Sequence, residues 1–141
     1  MTTRILVDSN VLLDVLSPGS AWEAWSDDAI MACAEYARLV INPIVYAEVS
    51  VGYVTMAGLD LPLSDDLFAR EPLPWQAAFL AGRAFEQYRR AGGSRRSPLP
   101  DFYIGAHAAV AGMRLLTRDP ARYRTYFPTV ELIAPDAPQD A

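Results

Sequence analysis

Short apolar runs, separated by segments long enough for helices, constrain the fold of this chain more than any other feature. Ile5-Leu6-Val7 ends at Asp8 and suits a buried strand. Leu39-Val40-Ile41 repeats the pattern and stops at Asn42, Leu115-Leu116-Thr117 does so again, and Val130-Glu131-Leu132-Ile133 gives a fourth candidate. Between them the expected helices cover 11–16 (capped by Ser9 or Asn10), 22–37 (with a break near Asp27 left open), and 43 to about 56. Asn42 is the expected cap of the third, with Pro43 in its first turn. A connector over 58–74 carries a short expected helix around 65–69. A long helix then runs from Pro74 to about Ala91, a second covers 101–112, and a helical turn covers 121–126. Strands alternating with helices specify an α/β fold: a mostly parallel twisted sheet of about four to five strands with helices on both faces. One domain over 1–134 is expected, followed by a short tail at 135–141.

With 141 residues, 52% of them hydrophobic, the chain can bury a core, so disorder is not expected. Charges interrupt every apolar stretch well before the ~20 residues that a membrane span needs. Asp8 and Asp14 fall where the apolar core of a secretory signal would have to lie. The expectation is a cytoplasmic protein with no membrane partner. Cys33 is the single cysteine, which rules out an internal disulfide and a cysteine-based zinc site; its apolar neighbours suggest a packing role. His107 is the single histidine, and all twelve basic residues are arginine. A two-histidine ribonuclease, a lysine Schiff base and a Walker-type phosphate loop are thereby excluded. The chemistry is left to carboxylates.

In α/β sheets, ligands gather beyond the carboxyl ends of the strands. Asp8 follows the first strand, Asp119 follows the third, and Asp101 opens a helix whose start faces the same end. Each has a plainer reading, as a helix cap or a turn residue. Glu48 is the only charge in the otherwise apolar stretch 44–54, which reads as a helix packed on most sides. A buried lone carboxylate costs several kcal/mol unless a cation or donor meets it. Four acids meeting near one point imply bound cations, and all-oxygen ligation selects Mg2+, with Mn2+ as a substitute. Such a site can polarise a phosphodiester, generate a hydroxide and stabilise a leaving oxygen.

Four segments carry a resemblance: Asp8-Ser9-Asn10-Val11-Leu12-Leu13-Asp14, the mid-helix Glu48, Asp101-Phe102-Tyr103-Ile104-Gly105-Ala106-His107-Ala108, and Leu116-Thr117-Arg118-Asp119 with the sequence that follows it to Ile133. In order and spacing they resemble the acidic motifs of PIN domains, and the last run resembles VapC-type ribonuclease toxins of toxin–antitoxin pairs. The resemblance implies that Asp8, Glu48, Asp101 and Asp119 are catalytic acids that bind magnesium, with Asn10 and Thr117 supporting them through hydrogen bonds. It implies metal-dependent endonucleolytic cleavage of RNA, a small antitoxin as partner, and a homodimer or toxin–antitoxin hetero-oligomer. His107 stands where many relatives carry a small residue, about 120° around an ideal helix from Asp101, and is left outside the site.

Charge is unevenly spread. Residues 1–82 hold three arginines against eleven acids, whereas 83–124 hold nine arginines against three acids. Local basic patches rather than net charge govern nucleic-acid contact. Arg83, Arg89, Arg90, Arg95 and Arg96 therefore stand as RNA-binding candidates, beside the plain reading of a solvated helix end. Asp14 could approach the acids, but a capping or surface role fits it better. The alternatives to an RNA-directed nuclease are a PIN-like binding or structural module and a DNA-directed nuclease of the same chemistry.

Overall fold

The computed structural model describes residues 3–136; residues 137–141 of the expected tail lie outside the described residues. Five strands form one wholly parallel sheet: β1 (Arg4–Val7), β2 (Arg38–Ile41), β3 (Ala69–Arg70), β4 (Arg114–Leu116) and β5 (Leu132–Ile133), in the order β3-β2-β1-β4-β5. In β1, Ile5 pairs with both Leu39-side and β4-side neighbours, and Ile5, Leu6 and Val7 are fully buried. Central parallel strands are covered on both faces, which is why β1, β2 and β4 read as unbroken apolar runs.

Seven helices connect the strands: α1 (Ser9–Leu16), α2 (Glu23–Ala34), α3 (Pro43–Ser50), α4 (Met56–Asp60), α5 (Trp75–Arg90), α6 (Pro100–Ala111) and α7 (Ala121–Tyr126). From β1 the chain steps outward to β2 and β3, then returns past β1 to β4 and β5. Right-handed crossovers send the helices of the two directions to opposite faces. Accordingly α1 packs on α2, and α5 and α7 pack on α6, while α3 touches both α1 and α6. The chain's direction across the sheet reverses between β1 and β4, and in such sheets ligands gather at the carboxyl ends of the strands at that point.

Several local expectations need correction. Asp8, not Ser9 or Asn10, caps α1, its carboxylate accepting from the Ser9 backbone N–H. Helix α2 runs unbroken past Asp27. Helix α3 opens as expected, with Asn42 accepting from Val45 N–H, but it ends at Ser50, and a separate α4 starts at Met56 with Thr55 as its cap. The expected helix around 65–69 is replaced by a turn and strand β3, pinned by buried Leu63 and Phe68. Two residues of edge pairing leave no periodicity to read. Helix α3 is also less enclosed than its composition suggests: only Val45 and Val49 are buried, and Glu48 is half-buried. Cys33 is buried in the core, as expected.

Helix α6 lies close to α7 because Gly105 has no side chain. A Cβ there would stand 2.4 Å from the ring of Phe127, and Phe127 is itself buried. Gly105→Ala should therefore cost about 1–3 kcal/mol through overpacking, although alanine favours the helix by ~1 kcal/mol. Urea unfolding measures it; an unchanged or raised midpoint would contradict this packing account.

Candidate active site

The site begins with Asp8, the first residue beyond β1. It is only 3% exposed, and no ion pair reaches it among the described residues. Its two oxygens are held instead by neutral donors. Ser9 N–H donates to one at 2.8 Å; Thr117 Oγ1 and Tyr123 Oη each donate to the other at 2.8 Å, with Asn10 Nδ2 at 3.4 Å. Burial pushes the Asp8 carboxyl up to about 6, and the charge of Asp101 adds to this, against the pull of those hydrogen bonds.

Asn10 ties the loop after β1 to the loop after β4. Its amide group donates to Thr117 Oγ1 and Asp119 Oδ2, both at 3.3 Å, and its carbonyl accepts from Arg118 N–H. Thr117 in turn accepts from the Asp119 backbone N–H. Glu48 comes in from α3 and accepts from Ser9 Oγ at 2.7 Å. Burial raises the Glu48 carboxyl above its usual range, and the charge of Asp101 raises it further, with the Ser9 bond opposing. Asp101, in the first turn of α6, is likewise raised by burial; Arg122 opposes this at 3.7 Å and Asp119 reinforces it. Burial and the combined charges of Asp8, Asp101 and Glu48 keep the Tyr123 phenol protonated far above its ordinary range, so it acts as a donor.

All four sequence-nominated acids thus share one electrostatic neighbourhood at the switch point. Among the described residues, however, no three acidic, histidine or cysteine side chains stand close enough to form a ready ligand cluster. The oxygens of Asp8, Glu48 and Asp119 meet hydroxyl and amide donors, and Asp101 stands beside Arg122. Gathering three of them on one ion requires side-chain movement. The donor set nevertheless suits a hard divalent cation: it is all oxygen, and its innermost carboxylate is buried with no cationic partner.

Other nominated residues are placed as follows. Arg83 and Arg90 pair with Glu86, and Arg89 donates to the Arg95 carbonyl, so these three hold their own helix and loop together. Arg95 and Arg96 are exposed, with no ion pair among the described residues. His107 is buried away from the acids, between Asn42 (3.0 Å) and Glu71 (3.5 Å). Asp14 departs from the expected capping or surface role. It is 3% exposed, accepts from Arg118 Nε at 2.6 Å and from Ser26 and Ser20, and so joins α1 to α2 and to the loop after β4. Burial works against its ionisation, but Arg118 and the two serines win and hold it below the usual range.

Tyr123, Arg118 and Arg122 are not among the residues the sequence nominates for the site, and Ser9 stands out there only as a helix cap. Two of them, Arg122 and Tyr123, have a recognisable signal: α7 starts two residues after Asp119, so its first turn folds back over the same edge of the sheet.

A parallel α/β sheet with acids collected at its switch point defines the class: a domain built around an acidic pocket at the carboxyl edge of the strands. The family model for the PIN domain matches residues 5–128, and the chain belongs to the PIN domain family. No curated protein matches it in sequence. Among solved structures it is similar to a chain of VapBC2 from Rickettsia felis, bound to a DNA fragment from its promoter. That likeness has a TM-score of 0.72 at 15% identity and covers 95% of this chain and 100% of that one. A chain of a toxin–antitoxin complex from Klebsiella pneumoniae superposes with a TM-score of 0.63 at 22% identity, over 89% of this chain and 94% of that one. VapC20 of Mycobacterium tuberculosis, a sarcin–ricin loop cleaving toxin, gives 0.55 at 17% identity, over 78% and 85%. At such identities the likeness is one of fold.

The Asp8 environment has a consequence for stability. Its carboxyl holds a proton more tightly folded than unfolded, so its contribution is complete below about pH 4 and is lost as pH rises through about 6. The difference between 3.8 and about 6 corresponds to roughly 3 kcal/mol. In chelator, Asp8→Asn should therefore gain stability relative to the parent chain between pH 4 and 7, by up to that amount. Urea titrations at the two pH values read it directly, and a gap that stays constant with pH would refute the assignment.

Proposed function

We propose that this chain is a divalent-metal-dependent endoribonuclease and the toxin of a toxin–antitoxin pair, its catalytic unit running to about residue 134. The observation that carries the reading is Asp8: a buried carboxylate without a cationic partner, at the switch point of the sheet, with Glu48, Asp101 and Asp119 around it. In this reading Asp8, Glu48, Asp101 and Asp119 hold Mg2+, with Mn2+ as a substitute. When bound, such an ion supplies Lewis-acid polarisation of a phosphodiester and a water acidic enough to attack it.

The chain's own groups have distinct tasks. Thr117 and Tyr123 fix the Asp8 carboxylate by donating to one of its oxygens, and Ser9 N–H fixes the other. Asn10 sets Asp119 relative to Asp8, and Ser9 Oγ orients Glu48. Arg118, anchored by Asp14, stands 3.4 Å from Asp119 and limits the repulsion among the acids. One structural relative, VapC20, is a sarcin–ricin loop cleaving toxin, which supports RNA as the substrate class.

An antitoxin partner is supported by the toxin–antitoxin assemblies among the structural relatives. Met56, strongly exposed at the start of α4, lines a mostly apolar groove of about 340 Å³ with Pro43, Tyr46 and Pro72. Val51 and Val54 are also strongly exposed in the segment between α3 and α4. Exposed apolar surface of this kind suits a protein partner. A homodimer, or a hetero-oligomer with the antitoxin, is the proposed assembly.

Purified chain free of antitoxin should cut mixed cellular RNA with magnesium and stop on addition of chelator. Asp8→Asn should lower the rate by about 100-fold or more, and Thr117→Val by about 10- to 100-fold, as for loss of a group that orients a metal ligand. Cutting that survives both chelator and Asp8→Asn would reject the reading.

A further inference from the structure

A second cavity, of about 450 Å³, adjoins the acids. Asp101 and Asp119 line it together with Tyr88, Arg122 and Tyr126, and Ala121 and Thr125 complete its wall. Its size falls in the range of small-ligand pockets.

Arg122 is the unusual member. The other half-buried arginines, Arg4, Arg38, Arg114 and Arg118, all spend side-chain N–H groups on hydrogen bonds. Arg122 makes none among the described residues; its nearest anion is Asp101 at 3.7 Å, beyond hydrogen-bond distance. The guanidinium instead lies against two aromatic rings, 5.9 Å from the centroid of Tyr88 and 5.8 Å from that of Phe102. A planar fork of free donors, beside aromatic rings and half removed from water, suits bidentate capture of a phosphate.

The aromatic wall is built rather than incidental. Tyr88, Phe102 and Tyr126 meet edge to face, with centroids 5.3–6.4 Å apart, and Tyr88 also stacks on Phe85. Phe102 is buried, while Tyr88 and Tyr126 are half-exposed at the cavity. Gly93 closes over Tyr88: its N–H donates to the Tyr88 carbonyl, and a Cβ there would stand 2.2 Å from the ring. The backbone at Gly93 therefore packs directly against the Tyr88 ring.

We propose that Arg122, Tyr88 and Tyr126 form a subsite for one unstacked nucleotide of a single strand, beside the acids. Arg122 takes its phosphate and a tyrosine ring takes its base. The inference rests on the nuclease reading for its place in the reaction, but binding itself does not require cleavage. Base stacking on aromatic side chains tolerates any sequence and requires a base free of its helix, so paired RNA is disfavoured.

The test is fluorescence anisotropy of a labelled single-stranded RNA decamer with the full-length chain in chelator, where nothing is cut. Arg122→Ala should weaken binding about tenfold and reduce the steepness of log affinity against log salt by about 0.7, the loss of one phosphate contact to a single strand. Arg122→Lys should keep the salt dependence but recover only part of the affinity, because a point charge replaces a fork. Tyr88→Ala should weaken binding several-fold without altering the salt dependence, and thermal melts identify any variant that fails to fold. Three results would each overturn the subsite: no measurable binding by the parent chain, Arg122 variants that bind as it does, or a preference for a duplex of the same sequence. Loss of binding in Arg122→Ala, together with a parent chain that cuts no RNA, would leave the subsite standing and reject the nuclease reading alone.

Discussion

The architecture depends on one interaction: a carboxylate kept ionisable inside the protein by hydroxyl and amide donors. Asp8 ends the central strand, caps α1 and receives Thr117 from beyond β4 and Tyr123 from α7. These contacts join segments more than a hundred residues apart, with separations of 109 and 115. A buried acid costs several kcal/mol when unmatched, and donors from α1, α7 and the loop after β4 offset part of that cost. What remains uncompensated, a carboxyl raised to about 6, is the affinity for positive charge that the proposed function uses.

Two layers of support surround it. The inner layer is neutral: Ser9, Asn10, Thr117 and Tyr123 orient the acids without neutralising them. The outer layer is charged. Arg118 is fixed by Asp14, with Trp22 beneath its guanidinium, and Arg122 lies against Tyr88 and Phe102; each faces one of the outer acids, Asp119 or Asp101. Placing the arginines at the rim leaves the negative charge concentrated at the centre.

Much of this was legible in the chain because it depends on local pattern. Continuous apolar runs marked β1, β2 and β4, and the acids that follow strands or open helices fell where ligands gather in an α/β sheet. Asn42 with Pro43 announced α3, and its lone Glu48 stood out against apolar neighbours. Other features escaped because they exist only in three dimensions. Strand β3 is two residues long and takes its register from β2. Asp14 reads as a surface acid until Arg118, 104 positions later, reaches it. Tyr123 looks like an ordinary core aromatic, and nothing local reveals that its hydroxyl meets Asp8. The arginines of α5 drew notice by their density, yet Arg83, Arg89 and Arg90 are bonded within their own helix and loop, while the sparser Arg118 and Arg122 face the acids.

The central claim is that Asp8 and the acids around it form a site for a hard divalent cation. Anomalous diffraction from crystals of the chain soaked in Mn2+ tests it most directly, because it locates the ion without reference to any substrate. The account predicts an anomalous peak touching Asp8 and at least one of Glu48, Asp101 and Asp119, with those side chains drawn together around it. Manganese bound only elsewhere on the protein, with Asp8 still held by Thr117 and Tyr123 alone, would contradict it.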